Sequence, residues 1–338
     1  MDYGRVRTVD YHTGGEPFRI VPEPPVPIDG DTVAARRVFA MRDPGVDGLR
    51  RLLCHEPRGH ADMYGGFLVP PDGAGAELGV LFWHKDGFST ACGHGTIALG
   101  AWAVRSGRVP APDTGVTEVA VDVPSGRVTA RVHTRHGRVA AVDFVNVPSY
   151  LIAADVPVPT SCGEVRVAIG FGGAIYAQLD AASVGLSVAP RAHLDLIALG
   201  REVTRALNDT DWARHPGDDR LSGVYGTILW EDLGSEDGRA YQRNVTIFAD
   251  GELDRSPCGS GTAARLATLT ATGRLAAGQA LVHESIVGSR FTARVVGEAT
   301  SDGFPAVIPA ITGTAYPTGE HVFTADPDDD LVPGFVLR

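Results

Sequence analysis

One pattern is written twice in this chain: Cys92-Gly93-His94-Gly95-Thr96 returns as Cys258-Gly259-Ser260-Gly261-Thr262, 166 residues later in a chain of 338. A spacing close to half the length predicts two structurally similar halves, each contributing one cysteine. Each copy runs into an apolar, small-residue stretch, Ile97–Val104 in the first and Ala263–Leu269 in the second, which reads as a helix opened by a glycine-rich turn. A thiol at a helix N-terminus meets the positive end of the helix dipole and unpaired N–H groups. Those lower a cysteine pKa from about 8.5 into the range of roughly 3.5–7.5. The glycines let a carboxylate approach the same N–H groups closely. A lone Cys-Gly pair is usually a small buried hydrophobe beside a turn; the repetition turns the reading towards chemistry.

Composition removes several classes of function. Thirty basic against 41 acidic residues, a net charge of −11, argue against nucleic acid or an anionic membrane as the main partner. A mean hydropathy near zero is that of an ordinary globular protein. The start, Met1-Asp2-Tyr3-Gly4-Arg5, has no apolar signal core and no stretch is apolar enough to span a bilayer, so the expected location is the cytoplasm. Four cysteines are too few for a disulfide scaffold, and free thiols are expected. Cys54 and Cys162 lack the glycine context and are assigned to packing. Lys85, the single lysine, would have to carry any pyridoxal phosphate chemistry and has no phosphate-cradling motif beside it. No cofactor is expected.

Along the chain, Val6–Tyr11 alternates like a strand and leads into the turn cluster His12–Pro17. Thr32 is placed to cap a helix over 33–40, with Pro44 and Gly45 ending it and a short helical stretch at 49–53. Strands are expected at 78–83, within 116–147, and at 165–169, 174–179, 224–230 and 244–248, with a helix at 194–207. The first half is taken as 1–148, joined by a C-terminal strand at 325–338, and the second as 149–324.

Inverting a stereocentre by moving a proton requires a base on one face of the carbon and an acid on the other. Two tuned thiols, Cys92 and Cys258, meet that need. His94 and Asp254 flank them closely enough to orient a substrate amine or tune a thiol. Two other classes share the residues: a zinc site built from Cys92, His94, Asp254 and Cys258, whose spacing matches no common zinc motif, and a non-catalytic amino-acid binder.

At these motifs the sequence resembles the proline racemase superfamily, which includes hydroxyproline epimerases and trans-3-hydroxyproline dehydratases. The stretches that carry the resemblance are Asp10–Pro17, Arg58–Gly65, Cys92–Gly95 and Asp254–Thr262. It implies an α/β (α+β) fold of the diaminopimelate-epimerase-like kind: two pseudo-symmetric halves, each a β-rich sheet around a central helix, with the active site between them. It also implies an acid/base pair of Cys92 and Cys258 acting on proline or hydroxyproline without a cofactor. His94 and Asp254 would sit at the substrate amine, the amides of Gly93, His94, Gly259 and Ser260 on the carboxylate, and Tyr64 and Phe248 along the substrate. Gly87–Thr90 and Phe248–Gly251 look more like the dehydratase branch. That branch usually has threonine where Cys258 stands, and Ala91 replaces a methionine common in the family. With both thiols present, a racemase or epimerase is the primary reading and a dehydratase the alternative. A small-molecule substrate is the expected partner, with neither nucleic acid nor membrane; a homodimer is the oligomeric state considered.

Overall fold

The alternation at Val6–Tyr11 becomes strand β1 (Arg5–Thr13) in the computed structural model, which describes residues 3–337. The chain divides into two compact units, one running to Val142 and resuming at Thr314, the other spanning Asp143–Gly313.

In the first unit β1 turns through Gly14 and Gly15, both at positive φ, into β2 (Glu16–Val21). Helix α1 (Val33–Ala40) starts where expected, with the Thr32 hydroxyl accepting the Ala35 N–H at 3.1 Å. Pro44 does not only end that segment. It opens α2 (Pro44–Cys54) at a position where its missing N–H costs nothing, with Asp43 capping Gly45 and Val46, so the short helix expected at 49–53 is part of a longer one. Both helices pack on β3 (Gly65–Val69) and β4 (Leu78–His84) through a core holding Val46, Leu49, Leu53, Phe67, Leu81 and Trp83. Then come the two-residue β5 (Gly87–Phe88), α3 (Gly93–Arg105), β6 (Gly115–Val123), β7 (Gly126–Arg135) and β8 (Arg138–Val145), within which the chain passes from the first unit to the second.

The second unit holds β9 (Ser149–Thr160), β10 (Gly163–Phe171), β11 (Ile175–Asp180), α4 (His193–Asn208), β12 (Val224–Glu236), β13 (Arg239–Phe248) and β14 (Glu252–Leu253). It continues with α5 (Gly259–Ala271), β15 (Leu281–Ser285), β16 (Arg290–Ser301) and β17 (Phe304–Gly313). The strands pair in the order β9, β10, β11, β12, β13, β15, β16, β17, and β17 pairs back with β9, so the sheet closes on itself around α5. The chain then returns to the first unit as β18 (Ala315–Thr324), antiparallel to β1.

The connectivity repeats. In the first unit β2 and β3 are parallel, β3 and β4 antiparallel, and after β5 and α3 the chain comes back parallel to β4 as β6. In the second, β11 and β12 are parallel, β12 and β13 antiparallel, and after β14 and α5 the chain comes back parallel to β13 as β15. Each unit is thus a mixed, strand-rich sheet wrapped on one central helix. That is why α3 and α5 are buried all round, from Gly93 to Ala103 and from Gly259 to Leu269.

The strand expected at 325–338 is replaced by turns among the described residues. Asp326 and Asp329 accept the N–H groups of Asp328 and Leu331, turn geometry that competes with a ladder. The final strand is β18 instead. Among the described residues, no helix is long and apolar enough to cross a membrane.

Candidate active site

Both repeated cysteines are N-caps. Cys92 precedes α3 in extended backbone, and its Sγ accepts the Gly95 N–H at 3.2 Å. An N–H donated to sulfur favours negative charge there. His94 stands in the first turn, buried, with its ring nitrogens 3.5 and 3.6 Å from the Cys92 Sγ. Burial drives the His94 pKa down to about 3 despite the Pro17 carbonyl, so the imidazole is neutral at physiological pH. Its ring is walled by Phe18 and Tyr64, both edge-on, at centroid distances of 5.9 and 4.9 Å. The Tyr64 hydroxyl bonds to the Ser89 hydroxyl, and the Thr13 hydroxyl donates to the His94 carbonyl at 3.0 Å. The first-turn amides of Gly93 and His94 have no acceptor within a helix.

Around Cys258 the same parts are differently set. Its Sγ makes no well-formed capping bond to α5, although the Gly261 N–H lies close enough to favour the thiolate in part. Burial pushes the Cys258 thiol far up, and the neighbouring Asp254 carboxylate pushes it further. The lowering expected at this helix N-terminus is therefore overturned here, because an interior that excludes water penalises the thiolate more than the dipole rewards it. Asp254, 2% exposed, is itself raised by burial to about 6, although the hydroxyl and amide of Ser256 both hold it down. Its Oδ1 accepts the Ser256 N–H at 2.8 Å, and the Ser256 hydroxyl accepts the Cys258 N–H at 3.0 Å. Gly259 and Ser260 form the first turn of α5, with two more orphan amides.

The Ser260 hydroxyl bonds to the Tyr176 hydroxyl at 2.7 Å, both groups buried. Tyr176 meets Tyr225 edge-on at 5.8 Å, and Tyr225 stacks on Phe248 at 5.6 Å. The structure thus gathers Gly93, His94 and Tyr64 about Cys92, and Asp254, Gly259 and Ser260 about Cys258, with Phe248 at the far end of an aromatic row that begins at Ser260. Tyr176, Ser89 and Phe18 were missed by the sequence reading. The one signal for Tyr176 is a hydroxyl-bearing residue inside the apolar run 174–179.

The other two cysteines differ from each other. Cys54 is buried in the first unit's core, its thiol donating to the Met63 carbonyl at 3.3 Å. Cys162, expected to pack, is exposed in the turn between β9 and β10. Lys85 is buried and ion-paired to Asp86.

The family model described as proline racemase matches residues 8–336. A trans-3-hydroxy-L-proline dehydratase of Bacillus thuringiensis is 41% identical over 331 residues, covering 98% of this chain and 97% of its own. A 3-hydroxyproline 2-epimerase of Burkholderia multivorans is 44% identical over 334 residues, covering 98% of each chain. Among solved structures, a hydroxyproline epimerase of Agrobacterium vitis with bound trans-4-hydroxy-L-proline superposes with a TM-score of 0.91 at 31% identity, over 100% of this chain and 97% of that one. A methylitaconate-delta-isomerase shares the fold at a TM-score of 0.55 and 16% identity, over 96% of each chain. The repeated cysteine motif, the duplicated sheet-and-helix connectivity and these likenesses agree, and the chain belongs to the proline racemase family.

Proposed function

We propose that this enzyme epimerises Cα of a proline-type substrate, proline or hydroxyproline, by proton exchange with the thiols of Cys92 and Cys258 and without a cofactor. The observation that carries the reading is that each unit places one buried thiol at the N-cap of its central helix, at the same point of the repeated connectivity. Inversion needs a base and an acid. Cys92, whose sulfur accepts an N–H, is the base in one direction. Cys258, held protonated by burial and by Asp254, is the acid. The Cys92 thiolate takes the Cα proton, the electron pair delocalises into the carboxylate, and the Cys258 thiol protonates Cα from the other face; the reverse reaction exchanges the two states. Carboxylate oxygens on the amides of Gly93, His94, Gly259 and Ser260 would stabilise the charge that develops in the transition state. Neutral His94 and Asp254 are suited to the substrate amine.

A second reading is dehydration of trans-3-hydroxy-L-proline, favoured by the names of the relatives from Bacillus thuringiensis and Burkholderia cenocepacia, the latter 44% identical to this chain over 334 residues. There the same thiolate step is followed by loss of the 3-hydroxyl as water, with a proton supplied by the second thiol. Incubation with L-proline, trans-4-hydroxy-L-proline and trans-3-hydroxy-L-proline in deuterated water, read by optical rotation and mass, separates the two. Deuterated epimer is the expected product. Loss of water from the third substrate alone would establish the dehydratase instead. Cys92→Ala and Cys258→Ala are each expected to abolish epimerisation, and near-normal turnover in either would end the two-thiol assignment.

A further inference from the structure

The two capping cysteines occupy the same place in the repeat with opposite backbone torsions: φ is −154° at Cys92 and 62° at Cys258, both with ψ of 108°. For a residue with a Cβ, positive φ is uncommon, and ψ here also lies outside the left-handed helical region. Such a conformation persists only where the surroundings over-determine it. At Cys258 they do. The torsion relates the peptide group before the residue to the one after it. The preceding group is tied at both polar ends: the Pro257 carbonyl accepts the Thr262 hydroxyl at 2.9 Å and the Asn244 amide at 3.1 Å, while the Cys258 N–H donates to the Ser256 hydroxyl at 3.0 Å. The following group is tied by the Thr262 N–H, which donates to the Cys258 carbonyl at 2.8 Å.

Thr262 holds both, and is itself held. Its hydroxyl proton goes to Pro257, so at 2.8 Å it accepts from Nδ1 of His283, which leaves Nε2 as a buried acceptor with no partner. The matching threonine of the first copy does a different job: the Thr96 hydroxyl donates at 2.8 Å to the carbonyl of Cys92 itself, an ordinary bond within a helix. There the cysteine keeps extended backbone and its sulfur caps the helix.

We propose that Thr262, backed by His283 and flanked by Asn244, is a positioning residue that clamps Cys258 at positive φ and holds its sulfur short of a full cap on α5. The amides opening α5 then stay available to a carboxylate, and the sulfur stays a thiol. The inference rests on Cys258 being one of the two acid/base thiols.

The test compares Thr262→Val, Thr262→Ser and Asn244→Ala with the wild type. Each is read by iodoacetamide modification of Cys258 relative to Cys92, mapped by peptide mass, and by kcat and KM for exchange of the substrate Cα hydrogen. Releasing the clamp lets the sulfur relax onto the α5 amides, so in Thr262→Val the relative modification rate of Cys258 should rise about tenfold while kcat falls about tenfold and KM stays within about twofold. Thr262→Ser keeps the hydroxyl and should restore both. Asn244→Ala removes one of the two donors to Pro257 and should fall between, and it carries the comparison if Thr262→Val does not fold. An unchanged modification ratio in Thr262→Val and Asn244→Ala, or a kcat loss that Thr262→Ser shares, overturns the clamp. Turnover surviving in Cys258→Ala would instead remove the catalytic reading, with the modification ratio still deciding whether the clamp exists.

Discussion

Gly95 and the Cys92 sulfur are fitted to one another: a carbon atom added at Gly95 would stand 2.8 Å from Sγ, and one added at Gly261 would stand 2.9 Å from the Cys258 Sγ. The second glycine of each motif is there to leave room for the thiol. At Gly95 the Phe18 ring would also be met, at 2.5 Å. Gly95→Ala and Gly261→Ala should each displace the neighbouring sulfur and lower kcat/KM about a hundredfold, with overpacking costing about 1–3 kcal/mol of stability. Steady-state kinetics beside urea unfolding checks this, and a well-folded alanine variant with wild-type kcat/KM would show that the fit has no functional role.

Buried titratable groups set opposing pH dependences. His94 and His283 are both held at about 3, so between that value and the ordinary histidine range the unfolded chain binds protons that the native state refuses. Their contribution to stability is present above pH 6.5 and lost as the pH falls. Asp254, raised to about 6, works the other way: its contribution is present below its ordinary value of 3.8 and lost as the pH rises through 6. Asp254→Asn removes the opposing slope. Between pH 6 and 4 its stability should therefore fall more steeply with acidification than the wild type's, by up to about 1.4 kcal/mol per pH unit. Urea midpoints at several pH values measure this; parallel curves for the two proteins would mean that Asp254 titrates as an ordinary carboxyl.

Tyr176 supports the first turn of α5 through the Ser260 hydroxyl. Tyr176→Phe leaves that hydroxyl buried without its partner, at a cost of about 1–3 kcal/mol in stability. If the Ser260 amide holds the substrate carboxylate, KM should rise about threefold to tenfold while kcat changes less. A variant that is destabilised yet keeps its KM would confine Tyr176 to a structural role.

Local signals were legible and contextual ones were not. The Thr32 cap, the alternation in β1 and the two cysteine-led helices depend on residues within a few positions of each other, and all were readable in order. Pro44 was ambiguous because proline both ends one helix and begins the next, and only the Asp43 side chain resolves it. The Cys258 thiol was misjudged because the helix-terminus argument counts nearby amides and leaves out the surrounding sheet. Tyr176 meets Ser260 across 84 residues of sequence, and His283 meets Thr262 across 21, distances at which no local motif speaks. Cys162 was assigned to packing by residue type alone, and residue type does not fix exposure.

The pairing of β1 with β18 has a consequence for how the molecule is made. The unit spanning Asp143–Gly313 is continuous, so all of its strands have been synthesised before Ala315 is added. The other unit holds the earlier of the two repeated cysteines, Cys92, yet its N-terminal strand waits with one edge unpaired until Ala315–Thr324 arrives. The half that is begun first is finished last, and for most of translation the open flank of β1 is the part of the nascent chain that most needs shelter from neighbouring chains.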